Sequence, residues 1–161
     1  MASSILVAIR VAATPERTFD AFVGEIGAWW RPNGLFDFTV GQHGILAFEP
    51  GLDGSLTETY SDGSVFEIGR ITTWEPPSRL AFTWRQASFS SEMGTSVEVT
   101  FEPVGAETRV TVEHFGWESV PREHAAKHGF PSEFFLQRHA EYWRALLRSL
   151  QSTAIERQET I

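Results

Sequence analysis

His114 closes the stretch TRVTVEHF, in which Val110, Val112 and His114 fall on one side of a strand. If that side faces the core, the imidazole points into apolar surroundings, where desolvation keeps it neutral near pH 7. A neutral ring there hydrogen-bonds a ligand or acts as a general base. The commoner alternative is a structural histidine, bonded at the end of a sheet. His139 lies on the apolar stripe Phe135, His139, Tyr142, Leu146, Leu150 of the C-terminal segment. From that stripe it can meet His114 or Glu58, although a helix histidine bonded at a cavity rim is again the commoner case. A two-residue turn at Asp62-Gly63 places Glu58 opposite Glu67. Thr57, Thr59, Phe66, Ile68 and Arg70 then share the other face. Facing carboxylates either repel in solvent or share a site with raised pKa, and a solvated outer face is the simpler account. His124 and His128 stand four apart in HAAKH, a helical metal spacing with only Glu123 or His114 as a third ligand. Two histidines rarely define a site, so no metal is assigned. Nucleophile-elbow, phosphate-loop and dinucleotide-binding glycine motifs are absent.

These residues need elements to hold them. Ile5 to Val11 reads as a strand, and Thr14-Pro15 as the capped start of a helix carrying Phe19, Phe22, Val23 and Ile26 inward. Gly24 and Gly27 break or kink that helix, and Trp29-Trp30-Arg31-Pro32 ends it in a loop. Strands follow at Gly44 to Phe48, Leu56 to Tyr60, Val65 to Trp74, Leu80 to Arg85, Ser96 to Glu102 and Thr108 to Phe115. Leu80, Phe82 and Trp84 share a face, as do Val97, Val99 and Phe101. Short connections, among them Pro76-Pro77 and PVGAE, require antiparallel pairing. A long helix from about Ser132 to Gln151 comes last, with a polar tail from Ala154 expected to fray. Strand, helix, six strands, helix is an α+β order. A curved sheet around one long helix leaves room for a cavity, with the segment 116–130 as its lid.

The chain has 161 residues, a net charge of -8, and 13 Phe, 6 Trp and 2 Tyr. This length suggests a single domain over residues 1–161, with its packed part at about 5–152. The aromatic excess points to an unusually aromatic core or to rings lining a pocket. Lys127 is the one lysine and no basic cluster exists, which argues against nucleic acid and anionic membrane surfaces. The absence of cysteine excludes disulfides, thiolate metal sites and a cysteine nucleophile. It also fits a reducing, cytoplasmic setting, and no signal peptide or membrane span is visible.

TPERTFDAF, the Asp-Gly turn, GRITTWEPPSRLAFTW, SVEVTF, TRVTVEHFGW and HAEYWRALLRSL, in that order, resemble the SRPBCC (START-like) superfamily. The best match within it is the activator-of-Hsp90-ATPase-homologue-1-like family, over roughly Ile5 to Leu150. The resemblance implies the helix-grip fold: a curved antiparallel sheet wrapped around a long C-terminal helix, enclosing a hydrophobic cavity. Three functions follow as expectations. The first is binding of a small hydrophobic, aromatic or polycyclic molecule, without a cofactor, by a monomer or homodimer. The second is cyclase, aromatase or hydrolase chemistry, and the third is a chaperone-linked interaction module. The residues expected to line the cavity are His114, Arg70, His139, Phe82, Trp84, Phe101, Trp117 and Tyr142. Replacing His114 by Phe is expected to leave the fold nearly intact.

Overall fold

The computed structural model of the chain describes residues 4–30, 44–85, 94–116 and 132–159, with side chains in the last helix from 137 to 155. The elements run β1 (Ser4–Val11), α1 (Pro15–Gly24), α2 (Ile26–Trp29), β2 (Ile45–Phe48), β3 (Ser55–Thr59) and β4 (Val65–Glu75). They continue with β5 (Arg79–Trp84), β6 (Thr95–Val104), β7 (Glu107–Phe115) and α3 (Ser132–Glu159). Thr14 caps α1, its hydroxyl accepting from the Arg17 N–H at 3.2 Å, and Pro15 fills the first helical position.

Trp29 is not in a loop, and Trp30 caps α2 in extended backbone. Both are buried, Trp29 within α2. The Trp29 indole donates to the carbonyls of Ala21 and Phe22 at 3.0 and 3.3 Å. It therefore adds a donor to the end of α1, where the Ala21 carbonyl also accepts from the Glu25 N–H at 3.1 Å, and ties the ring to the helix it follows.

One sheet carries all seven strands in the order β1-β7-β6-β5-β4-β3-β2, every neighbour antiparallel. The expected alternation holds in the centre: Leu80, Phe82, Trp84, Val97, Val99, Phe101, Val110, Val112 and His114 are all buried. The β6–β7 hairpin turns at Gly105, whose φ of 62° favours glycine. Between β4 and β5 the Pro76-Pro77 bond is cis, and the Ser78 N–H returns to the Glu75 carbonyl at 2.9 Å.

The β3–β4 hairpin corrects the expected register. Its loop spans Tyr60 to Ser64, with Tyr60 N–H donating to the Ser64 carbonyl at 2.9 Å, so the turn is longer than Asp62-Gly63 alone. Glu58 therefore pairs with Phe66 and not with Glu67. A one-residue slip exchanges faces: Glu58 and Ile68 are buried, while Glu67 pairs with Arg70 near the surface. The buried Glu58 carboxylate accepts from the Tyr60 hydroxyl at 2.7 Å and the Gly44 N–H at 3.0 Å. Register shifts at Leu56/Thr57 and at Ile71/Thr73 mark irregularities on both flanks of β4, where bulges increase twist and bend a sheet.

The helix α3 runs on to Glu159, past its expected end at Gln151. Ala154, where fraying was expected, is fully buried. The Arg17 guanidinium holds this end: it donates to the carbonyls of Thr153 and Ala154 at 3.3 and 3.2 Å and pairs with Glu25. Tyr142, Trp143, Leu146, Leu147 and Leu150 form the buried stripe; the side chains of Phe135 and Leu136 lie outside the described residues. The backbone of α3 runs against β1, α1 and α2, and its rings reach across to β5 and β7. No described helix is long and apolar enough to cross a membrane.

Leu146 tests how the helix is seated. It is 2% exposed, and Leu146→Ala should cost about 2–5 kcal/mol in urea unfolding. A loss below about 1 kcal/mol would show that this stripe is not packed.

Candidate functional site

Aromatic rings fill the described space between sheet and helix in two groups. Around Phe22 stand Trp29, Phe48, Phe82 and Phe101, with centroids 4.8 to 6.4 Å away. Around His114 stand Trp84, His139 and Trp143, at 5.0, 4.9 and 6.0 Å. Tyr142 stacks on His139 at 5.6 Å and an interplanar angle of 13°. The first group is hydrocarbon apart from the Trp29 indole N–H. The second contains a continuous polar chain.

That chain can be followed atom by atom. The Thr95 hydroxyl donates to the Trp84 carbonyl at 2.8 Å. Its oxygen lies 2.7 Å from His114 Nε2. On the other side of the ring, the Trp143 indole donates to His114 Nδ1 at 3.1 Å, and His139 Nε2 lies 3.0 Å from the same atom. An indole N–H can only donate, so Nδ1 accepts and the proton of a neutral His114 sits on Nε2, directed at Thr95. This tautomer is assigned from the hydrogen-bond network. Both rings are 0% exposed. Desolvation pushes the His114 pKa down to about 3. His139 is held well below the usual histidine range, first by desolvation and then by its neighbour His114.

Beside the chain lies a cleft of about 450 Å³ across β4, β5 and β6. Ile68, Gly69, Trp84 and Thr95 line it together with Glu67, Arg70, Thr83 and Arg85. Gly69 is required for its shape, because a Cβ there would overlap the Thr83 carbonyl. The lip is ionic: Arg70 pairs with Glu67 at 3.1 Å, and the Arg85 guanidinium sits 4.9 Å from the Phe66 ring centroid. Thr95 belongs to both features, lining the cleft and bonding His114.

The expected site residues therefore separate. His114, His139, Trp84 and Tyr142 converge. Phe82 and Phe101 belong to the Phe22 group, and Arg70 lies at the exposed lip of the cleft. Trp117, the segment 117–130 with its expected lid, and the His124/His128 pair lie outside the described residues. Among the described residues no group of three or more His, Asp or Glu could hold a metal ion. His139 is inside and not at a rim. Replacing His114 by Phe would also strand the Trp143 N–H, so it is a stability lesion and not a silent change. Thr95 was not singled out in the sequence. Its signal was available, a polar residue two positions before the inward Val97 and Val99.

The model of the activator of Hsp90 ATPase homolog 1-like family matches residues 12–154. The chain belongs to that family. No curated protein matches it. Among solved structures, protein MLL2253 from Mesorhizobium loti is similar at a TM-score of 0.67 and 17% identity, covering 95% of this chain and 97% of its own. An Hsp90 activator from Plasmodium falciparum is similar at 0.62 and 18%, covering 93% and 94%. At those identities the likeness extends to the fold alone. The anthrahydroquino-gamma-pyrone synthase Txn09 shares 29% identity over 82% of this chain and 83% of its own, at a TM-score of 0.53. The family member described here thus shares the START-like fold, a curled seven-stranded antiparallel sheet closed by a C-terminal helix.

The histidine pair makes stability depend on pH with a definite sign. Both folded-state values lie below the unfolded value of about 6.5. The unfolded chain therefore binds more protons in the window below that value. The part of the stability that depends on neutral histidines is complete above about pH 6.5 and is lost as pH falls toward about 3. Each ring contributes a slope of at most about 1.4 kcal/mol per pH unit. Urea unfolding between pH 7 and 4.5 should show the decline, and His139→Phe should flatten it. An equally steep decline in that variant would assign the acid sensitivity to other groups.

Proposed function

We propose that this protein binds a small, planar, largely apolar aromatic molecule, taken up in the cleft beside the His114 chain. The observation that carries this reading is the position of Thr95. A cleft of about 450 Å³ is within the range of small-molecule sites, roughly 300–1,000 Å³. Its inner wall offers an indole, an aliphatic side chain and one hydroxyl already wired to two imidazoles. Apolar burial at roughly 25 cal/mol per Å² would supply affinity. The Arg70–Glu67 pair at the lip would set which end of an amphiphilic molecule faces water. The 29% identity to a synthase whose name denotes a polycyclic aromatic product supports the same class of ligand.

A second reading, catalysis on such a molecule, is favoured by one observation. Two imidazoles in contact, both kept neutral, are a pair of groups able to accept and pass a proton. The two readings differ in whether the molecule recovered after incubation is unchanged, which mass spectrometry decides.

The binding test uses a blocked cleft. Ser96 lines it from β6, half-buried, on a strand that accepts aromatic residues. A panel of naphthols and anthraquinones should raise the melting temperature of the parent protein and quench its tryptophan fluorescence. Ser96→Trp should fold normally and lose both responses, by tenfold or more in Kd. Undiminished binding in Ser96→Trp would remove the cleft from the reading, and no response in the parent would remove the reading itself.

A further inference from the structure

The cleft between β4, β5 and β6 offers more hydrogen-bond donors than acceptors. Several acceptors on its walls are already occupied. The Glu67 carboxylate takes Nε and Nη2 of Arg70 at 3.1 and 3.5 Å. The Glu67 carbonyl accepts from Arg85 Nε at 3.1 Å, and the Ile68 carbonyl from the Arg85 N–H at 3.1 Å. The Trp84 carbonyl accepts from the Thr95 hydroxyl at 2.8 Å. Donors are left over. Thr83 Oγ1 accepts from the Arg70 N–H at 2.9 Å, so its own hydrogen is still to be given. Ser96 stands opposite Thr83 on β6, and its hydroxyl has no partner among the described residues.

The two arginines of the lip differ in how their charge is answered. Arg70 is paired with Glu67, which, with Asp53 and Glu49 acting more weakly, holds its pKa above the usual arginine value. Arg85 pairs with no carboxylate among the described residues. Its guanidinium is held all the same, by the Nε bond to the backbone of β4 and by the Phe66 ring, whose centroid is 4.9 Å away. The Nη hydrogens of Arg85 are not spent on any described residue. A guanidinium anchored in this way has less freedom to lose when it binds a ligand. Thr83 and Arg85 are two apart along one strand, which puts their side chains on the same side.

We propose that Arg85 and the Thr83 hydroxyl receive a carboxylate, and that the ligand of the cleft is an aromatic acid. This rests on the binding reading above and deepens it by naming the ligand's polar group. A carboxylate is planar, brings acceptors only, and matches the fork of a guanidinium. A carboxamide of the same shape brings hydrogens to a lip that already has them in excess, and no charge. The aromatic body lies against Ile68 and Trp84. The chain as a whole carries a net charge of -8 and repels an anion at long range. A preference for the acid therefore has to come from the lip itself, where two arginines line the cleft with one glutamate.

A matched pair of probes, 2-naphthoate and 2-naphthamide, tests this at pH 7 by tryptophan quenching. The acid should bind about fivefold more tightly at low salt, the upper end for an ion pair at an exposed site. The difference should shrink as ionic strength rises from about 0.01 to 1 M, over which the screening length falls from about 30 to 3 Å. Arg85→Gln should abolish the preference and leave naphthamide binding unchanged, while Arg85→Lys, which keeps the charge without the fork, should retain part of it. Arg109→Gln, at an exposed position on β7 away from the cleft, should keep the full preference. Equal affinity for acid and amide in the parent protein overturns the proposal and leaves the binding reading intact. A preference that survives Arg85→Gln, or that Arg109→Gln removes as well, also overturns it. Failure of both probes and of the neutral naphthols to bind overturns the binding reading, and this proposal with it. Should Arg85→Gln not fold, the parent's preference and its salt dependence decide together with Arg85→Lys.

Discussion

Two imidazoles buried in contact have to stay neutral, and much of this interior follows from that. A charge on either ring would stand fully desolvated beside its neighbour. Neutral rings need partners that are themselves uncharged, and these come from different elements. The carbonyl of Trp84 belongs to β5, Thr95 to β6, His114 to β7, and His139 and Trp143 to α3. Three neighbouring strands and the helix are therefore tied through one polar chain. Slipping β6 by one residue would turn Thr95 outward and bring Gly94 or Ser96 to its place. The slip would cost His114 its acceptor as well as displacing Val97 and Val99 from the core. Hydrophobic pattern and polar chain thus demand the same register, which is the agreement between levels expected of a sequence that specifies one structure.

The other half of the sheet departs from regularity in a way that serves the same region. Register shifts flank β4 on both sides, and Gly69 lets the Thr83 carbonyl approach where any side chain would collide. The result is a cleft between β4, β5 and β6 with the buried Ile68, Trp84 and Thr95 in its wall and an ionic lip. Thr95 is the only residue of the polar chain besides Trp84 that also lines this cleft. The Phe22 group, by contrast, carries no comparable chain; it seats α1 and α2 on the sheet. The aromatic excess of the composition thus divides into a packing share and a share that surrounds the histidines.

Where one local rule dominated, the sequence was legible. Period-two alternation placed Leu80, Phe82, Trp84, Val97, Val99, Val110, Val112 and His114 on the buried face, as observed. The cap at Thr14-Pro15 and the tight turn in PVGAE were equally local. Features that depend on distant partners were not legible. The Asp-Gly pair suggested a two-residue turn, yet the hairpin uses a longer loop, and the single-residue difference moved Glu58 inside. The polar tail of α3 looked free because its stabilising partner, Arg17, is far away in sequence. Trp29 and Trp30 follow a helix break, and nothing local shows that an indole there closes the preceding helix. Contact between His114 and His139 was foreseeable as a possibility from their faces. Thr95, which gives the contact its polarity, was concealed by being a common residue in a strand.

The chain adds little to stability for the number of polar groups it buries. A buried hydrogen bond contributes about 1 kcal/mol net, and a set of apolar side chains of the same shape can be neutral or better in its place. The surrounding positions show that this chain readily supplies such residues: Val97, Val99, Val110 and Val112 occupy the adjoining rows. Two imidazoles in that setting also make the fold sensitive to acid, a cost that valine or phenylalanine would not carry. Local departures from the most stable solution are expected where a protein does its work. The departure here is narrow: one hydroxyl, two imidazoles and one indole N–H, joined to the wall of a cleft. A purely structural role would require only that these groups satisfy one another. They also tie β5, β6, β7 and α3 together in one register.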